Sequence, residues 1–416
     1  MKILYLHQYF TTPDEPGGIR SYEMARRLVA AGHEVHMLTS DRSGRPAPRG
    51  WSRRTVAGIE VHSIPVPYGN EMPYRRRLWA FAKFSIACTV KALGTRADVV
   101  FATSTPLTIA VPALFSKWFR RTPVVLEIRD IWPAVPIAMG ALGNPLLRAA
   151  ALALESVAYR NADAVVGLSS QMVEHVRGKG VNAGKLFCIP NSCDMELFDV
   201  EPERVAALRG RHAWLGSRPL VLYAGTFGRV NGVAWLVELA RQLRGLGSRA
   251  MVVAIGDGME RSMIVRTAET AGVLNENFFV LDGMPKTEIV EWFGAADLCC
   301  STVVPIPILE RNSANKVFDA LASGTPVLIN HGGWQASMLL GNDVGIVASW
   351  DDVSGAAEQV HLLLENDERR RAMGARAREL GRTEFSRDGL AERLRAVIEG
   401  VARGAPVLGT GEGSSP

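Results

Sequence analysis

Short apolar runs recur along this chain, each stopped by a glycine or a polar residue and followed by a stretch of helical periodicity. They come in two series. The first is "KILYLH" (2–7), "EVHMLT" (34–39), "DVVFAT" (98–103), "PVVLEI" (123–128) and "AVVGLS" (164–169). The second is "LVLYAG" (220–225), "MVVAIG" (251–256), "FFVLDG" (278–283), "DLCCS" (297–301) and "PVLIN" (326–330). Runs this continuously apolar fit strands buried on both faces, and the intervening helices supply the cover, which is the pattern of parallel sheets. Two series predict two doubly wound α/β domains, 1–190 and 191–384, followed by a C-terminal helix over 385–402 and a tail over 403–416 expected to be disordered. Ligands of such sheets sit beyond the C-terminal ends of the strands, so two sheets facing each other define a cleft. The informative residues are those just after strands.

Several classes fall away. Hydrophobic residues make up 47% and charged residues 21% of the 416, the balance of a globular protein rather than a disordered or fibrous one. No uninterrupted run of 18 apolar residues is present, "MKILYL" is too short for a signal peptide, and the five cysteines show no metal spacing. The expectation is a cytoplasmic protein with reduced thiols. The net charge of +5 is uneven: residues 42–96 hold eleven Lys or Arg against two acids, Glu60 and Glu71. That favours an anionic partner, such as a phosphate or the inner face of the cell membrane, or else a solvated loop. Nucleic acid is disfavoured, since no recognition module accompanies the charge.

"PDEPGGIR" follows the first strand and opens a helix, where Gly17 and Gly18 let backbone amides approach an anion, or simply turn the chain. "YAGTFGRVNG" repeats the arrangement in the second half, with Gly225 shaping the loop and Arg229 available as a phosphate clamp. "IGDGMER" offers a third glycine turn. In "ILERNSANKVFDALASGTPVL" Asn315 is placed to cap a helix, Lys316 points a cation from its first turn, and Asp319 lies one turn on, suited to sugar hydroxyls or to plain solvent. "EIRDIWPAVP" puts Glu127, Arg129, Asp130 and Trp132 at a strand end. Asp130 then serves acceptor binding or catalysis, or pairs structurally with Arg129. "PYRRRLWAFAKFSIACTVKAL" combines Arg75, Arg76, Arg77 and Trp79 with apolar residues at helical spacing. This suits a helix lying in a membrane surface, or one facing the core with its cations snorkelling outward. There is no Walker A sequence, G-x-S-x-G, H-E-x-x-H or D-x-D pair, so no metal or cofactor is called for.

These stretches, with "GGIRSYEMARRLVAAGHEVHMLT" and "IPNSCDMELF", resemble family 4 of the retaining glycosyltransferases over nearly the whole chain. "EIRDIWP" and "NKVFDALASG" look most like the subgroup of bacterial O-antigen and capsule enzymes that includes N-acetylfucosamine transferases. The resemblance implies the GT-B fold, a nucleotide-sugar donor, and transfer without a metal. It places Gly17, Gly18, Asn315 and Lys316 near the donor diphosphate and Asp319 at the second acid of the family's E-x7-E motif, on the nucleotide ribose. The chain departs from the pattern at Arg311, which stands where the first acid is due, with Glu310 one residue earlier; at Thr226 and Asn231, where an Arg and a Lys are usual; and in lacking an evident first-domain histidine. The reading is therefore a hexosyltransferase taking a UDP-sugar to a polyprenyl-diphosphate-linked glycan, with Asp130, Glu310 and Arg229 as candidate catalytic groups. A nucleotide-sugar epimerase of the same fold and a non-catalytic sugar-nucleotide-binding subunit are the rivals.

Overall fold

The computed structural model describes residues 1–15, 17–42, 50–69 and 72–405. Pro16 of the first glycine stretch, the basic positions Arg45 and Arg49, Glu71, and the expected tail from 406 onward lie outside the described residues.

Eight strands form the first sheet: β1 (Lys2–Leu6), β2 (Glu34–Asp41), β3 (Ser52–Val56), β4 (Ile59–Pro65), β5 (Val99–Thr103), β6 (Val124–Ile128), β7 (Ala164–Gly167) and β8 (Leu186–Cys188). Their order is β3-β4-β2-β1-β5-β6-β7-β8, parallel throughout except for the β3–β4 hairpin. Six more form the second: β9 (Leu220–Ala224), β10 (Met251–Ile255), β11 (Phe278–Leu281), β12 (Leu298–Ser301), β13 (Val327–Ile329) and β14 (Gly345–Val347), ordered β11-β10-β9-β12-β13-β14 and all parallel. This is the GT-B architecture. In each sheet the strand order reverses beside the first strand of its series, between β1 and β5 and between β9 and β12, and a crevice opens there.

The apolar runs are continuous because each strand is covered twice. Leu4 and Leu6 meet Phe84 and Cys88 of the helix Tyr74–Leu93, while Ile3 and Tyr5 point to the opposite face. That opposite face is closed by Leu390, Leu394 and Ile398 of the last helix, Arg387–Arg403, so the end of the chain completes the core of its beginning. The chain crosses between the halves near 189–194 and returns near 384–387, and the two crossings run side by side. Cys193 N–H donates to the Phe385 carbonyl at 2.8 Å, and Arg387 N–H to the Cys193 carbonyl at 3.1 Å.

The structure adds strands that apolar runs do not announce. β3 carries exposed Arg53 and Arg54, and β4 alternates, with Ile59 and Val61 on one face and Glu60 and His62 on the other, so part of the basic segment is a sheet edge rather than a loop. β8 and β14 are three residues each, below the length at which a run stands out.

Candidate active site

A cleft of about 880 Å³ lies between the C-terminal ends of the two sheets. From the first sheet it takes His7 and Tyr9 after β1, Arg42 after β2, Tyr68 after β4, Thr105 after β5 and Arg129, Asp130 and Trp132 after β6, with Arg77 and Phe81 from the helix Tyr74–Leu93. From the second it takes Thr226 to Asn231 except Phe227, together with Met259, Asn312, Ser313 and Asn315.

The charges of "EIRD" divide at the end of β6. Glu127 points into the core, fully buried, where Arg20 of the first helix (Arg20–Ala30) donates to its Oε1 through Nε at 3.0 Å and Nη2 at 2.8 Å and Thr103 donates to Oε2 at 2.6 Å. The same guanidinium reaches the carbonyls of Ile189 and Pro190 at the domain crossing. Although burial alone would raise the Glu127 carboxyl, Arg20 outweighs it and holds the group below its ordinary value. Arg129 and Asp130, past the strand end, face the cleft. Asp130 accepts from the Thr105 hydroxyl at 3.0 Å, and burial raises its carboxyl above the ordinary value against the opposing pull of Thr105 and Arg129. Arg129 and Asp130 form no ion pair among the described residues, so the structural alternative for Asp130 does not hold in that form.

A file of rings runs along the first wall. Tyr9 and Tyr68 lie 4.7 Å apart, Tyr68 and Phe81 5.7 Å, Phe81 and Trp132 6.0 Å, with Arg42 and Arg77 stacked over Tyr9 and Tyr68 at 5.7 and 5.5 Å. Arg77 Nε also donates to the Tyr68 hydroxyl at 3.1 Å. Arg77 thus turns into the cleft, away from the exposed Arg75, Arg76 and Trp79 with which its sequence groups it. Sequence reasoning missed His7, as it missed Tyr9, Arg42, Tyr68 and Thr105. His7 follows β1 directly, lines the cleft and is almost fully buried with no hydrogen-bond partner for Nδ1; burial, then Arg129 and Arg42, lower its pKa well below the usual value and keep the ring neutral. Its signal was a histidine at the end of a buried strand.

The glycine loops meet across the cleft. A side chain at Gly18 would press on Arg129 Nη2 at 3.4 Å from its own domain and on Asn315 Nδ2 at 3.5 Å from the other. Gly225 makes room for a lysine: a Cβ there would stand 2.5 Å from Lys316 Cε and would displace that side chain. Lys316 therefore passes behind the glycine loop, its ammonium 5.0 Å from the centre of the Tyr223 ring, and burial pushes its pKa down to about 8. Asn231 explains one departure from the family pattern, because its Nδ2 donates to the Thr226 carbonyl at 2.8 Å and closes the loop instead of offering a cation. Arg229 remains exposed on that loop and faces the cleft.

Of the residues singled out in sequence, the structure brings Gly17, Gly18, Arg77, Asp130, Arg229 and Asn315 to the cleft. Gly225 and Lys316 lie just behind it. Asn315 is not a helix cap; the helix Asn315–Ser323 is preceded by Ala314 with no side-chain cap, which leaves the Asn315 amide free to face Gly18. Asp319 turns away from the cleft lining into an ion pair with Lys286 at 2.5 Å. Glu310 sits in a short 3-10 turn, Pro307–Arg311, against Gly332 and Gly333 and not on the cleft lining. The turn is fastened to the first domain, since Ser169 Oγ donates to the Arg311 carbonyl at 2.5 Å and Asn191 Nδ2 to that of Ser313 at 2.6 Å.

Comparison with known proteins agrees with this geometry. The family model for the glycosyl transferase 4-like domain matches residues 17–192, and that for glycosyl transferases group 1 matches 206–380. A protein of Escherichia coli (strain K12) named as the colanic acid biosynthesis glycosyl transferase WcaI is 24% identical over 306 residues, 67% of this chain and 74% of its own. A Mycobacterium tuberculosis (strain CDC 1551) protein named as a GDP-mannose-dependent alpha-(1-6)-phosphatidylinositol monomannoside mannosyltransferase is 27% identical over 225 residues, 52% of this chain and 57% of its own. Among solved structures, sucrose-phosphate synthase from Thermosynechococcus elongatus superposes with a TM-score of 0.77 at 17% identity, covering 97% of this chain and all of that one. Anabaena HepE in complex with UDP gives 0.70 at 15%, covering 96% and 100%. Two parallel sheets facing across a cleft, with both halves of the chain matched by glycosyltransferase families, establish that the protein belongs to the family 4 glycosyltransferases of GT-B fold.

Proposed function

We propose that this enzyme carries an N-acetylated or deoxy hexosamine from a UDP-sugar to a hydroxyl of a lipid-linked glycan, with retention of anomeric configuration, in the assembly of a cell-surface polysaccharide such as O-antigen or capsule. The observation that carries the reading is the cationic cleft: Arg229 on one wall faces Arg42, Arg77 and Arg129 on the other, around the crevices where the glycine loops meet. A nucleoside diphosphate gathers negative charge as the glycosidic bond breaks, and fixed guanidiniums, backbone amides and Lys316 stabilise that charge without reorganising. The departing phosphate oxygen takes the acceptor proton on the same face, while Asp130 holds the acceptor hydroxyl. The file of rings on the first wall suits a sugar or polyprenyl acceptor. The names and titles of relatives lean the same way: WcaI is named for colanic acid biosynthesis, and HepE was solved with UDP. Kinship with N-acetylfucosamine transferases is the narrower form of the proposal.

A lipid-linked acceptor calls for a membrane, and one face of the first domain supports that. No described helix is long and apolar enough to cross one. Trp79, Ile86 and Val90 line the outer face of the helix Tyr74–Leu93, 65–70% exposed, with Trp118, Phe119, Leu146 and Leu147 exposed on helices that continue the same side. Arg75, Arg76, Lys83, Arg120, Arg121 and Arg148 stand around them. Aromatic and aliphatic side chains ringed by cations match an anionic bilayer surface.

The test uses purified protein in EDTA against UDP- and GDP-sugars, recording thermal shifts and nucleotide release with and without polyprenyl-diphosphate-linked sugar. Acceptor-dependent release of UDP supports the reading. Turnover with GDP-mannose alone replaces the donor, and release without acceptor removes the proposed transfer. Cosedimentation with anionic vesicles, lost in the Arg75→Gln/Arg76→Gln/Trp79→Ala variant, tests the membrane face; equal binding by that variant counts against it.

A further inference from the structure

At the opposite end of the first sheet from the cleft, where β2 and β4 begin, three side chains converge. His36 and Glu60 are register partners on adjacent parallel strands, and His62 lies two residues beyond Glu60 on the same face. His36 Nδ1 stands 3.2 Å from Glu60 Oε1 and 3.4 Å from His62 Nε2, and His62 Nε2 stands 2.7 Å from Glu60 Oε1. Both side chains are largely buried, at 8% and 11% exposure. None of the three lines the cleft.

The proton inventory of this cluster is short. Glu34 accepts at 2.6 Å from His36 Nε2, which fixes the proton of a neutral ring there and leaves Nδ1 with a bare lone pair turned toward the others. The His62 proton is taken by Glu60 Oε1, while Glu60 Oε2 is engaged by Arg53 at 2.5 Å. With both rings neutral these three atoms share one hydrogen, a deficit that a second proton or a bound cation relieves. A divalent cation resolves this, and the spacing suits one: tetrahedral zinc, with ligands about 2.0–2.2 Å away, holds them about 3.3–3.5 Å apart. Two of the three distances are already within 0.2 Å of that range, and the third opens by a side-chain adjustment. A carboxylate on the far nitrogen of a ligating histidine, as Glu34 provides, is the usual support of such a ligand. The nearby cations are Arg53, Lys2, which pairs with Glu34 at 3.2 Å, and Lys91 from the helix Tyr74–Leu93.

We propose that His36, Glu60 and His62 bind a zinc-class divalent cation, with water in the fourth position, which staples the β3–β4 hairpin to the parallel sheet. The nitrogen-rich ligand set excludes magnesium and calcium. The site is independent of the sugar-transfer cleft and makes no demand on the transfer chemistry.

The experiment takes the untagged full chain, stripped with EDTA, and titrates it with Zn²⁺ by calorimetry and with Co²⁺ by visible absorption. The expected result is one saturable site per chain, a tetrahedral cobalt spectrum, and a rise of roughly 3 °C in the thermal midpoint at a hundredfold excess over the dissociation constant. His62→Gln and His36→Gln abolish the cobalt spectrum; Glu34→Gln, which leaves all three ligands in place, weakens zinc about 10–100-fold. Magnesium gives no shift. The proposal is overturned if the wild-type chain shows no stoichiometric zinc or cobalt binding, leaving the cluster as a hydrogen-bonded group only, or if the His62→Gln chain binds as tightly as wild type. Donor binding is expected to be unchanged by EDTA while the midpoint falls, which separates failure of this site from failure of the proposed transfer.

Discussion

The two walls of the cleft are made differently although they stand on similar sheets. The first wall is rigid and charged: Arg42, Arg77, Arg129 and Asp130 stand among stacked rings, and behind them the Arg20–Glu127 pair ties the first helix, β6 and the domain crossing together in the core. The second wall is mostly backbone and small polar groups, with Arg229 as the one charged residue on its lining among the described residues. Its nearest further cation, Lys316, is held behind the glycine loop. A wall of loops at glycines conforms to a phosphate through amides, whereas a wall of anchored side chains selects shape. That is the division expected between holding a donor and receiving an acceptor.

The strongest way to break the contrast is to remove the anchor. Glu127→Ala leaves Arg20 buried without its counter-ion and is expected to cost about 3–5 kcal/mol of stability, read as a lower thermal midpoint, with loss of activity following from the fold. In Asp130→Asn the fold should persist while kcat falls about 10²-fold at unchanged donor affinity, which steady-state kinetics and a binding isotherm separate; a loss of less than threefold would count against Asp130 holding the acceptor hydroxyl. Arg229→Ala should weaken donor binding roughly 10–100-fold and Arg129→Ala by less, because the first wall has other cations and the second does not. Equal effects would erase the distinction. The mildest probe is pH: Lys316 loses its charge as pH rises through about 8, so donor affinity should decline between pH 7 and 9, by about fivefold if bound phosphate raises that pKa by one unit. In Lys316→Met, and not in Arg229→Ala, the decline should vanish.

The fold was legible because the buried strands have no polar face to hide them. What escaped were the elements whose evidence is not local. β3 is exposed along almost its whole length at the sheet edge and β4 beside it only alternates, so both read as charged loop, and the placement of Arg77 toward Tyr68 and the cleft is not signalled by its three-arginine run. Arg129 and Asp130 could be found from charges at a strand end, since no core position tolerates them unpaired. Asp319 could not, because its partner Lys286 comes from 33 residues away and draws it off the cleft. Asn315 looked like a cap for the sound reason that asparagine favours that position, but the helix begins one residue earlier than that reasoning requires, with Ala314 at the cap. His7 was overlooked because it was counted as the last residue of a strand.

The last helix, Arg387–Arg403, supplies the floor beneath the first sheet about 200 residues after β8 has ended. At a synthesis rate of about 5–20 residues per second, the ribosome spends roughly 10–40 s between finishing that sheet and delivering its cover. Through that interval the underside of the nascent first domain, with Ile3, Tyr5 and Phe101, is bare of its final partner. The newborn chain is therefore a client for any chaperone that shields apolar surface, and completion of its first domain waits on the translation of its last helix.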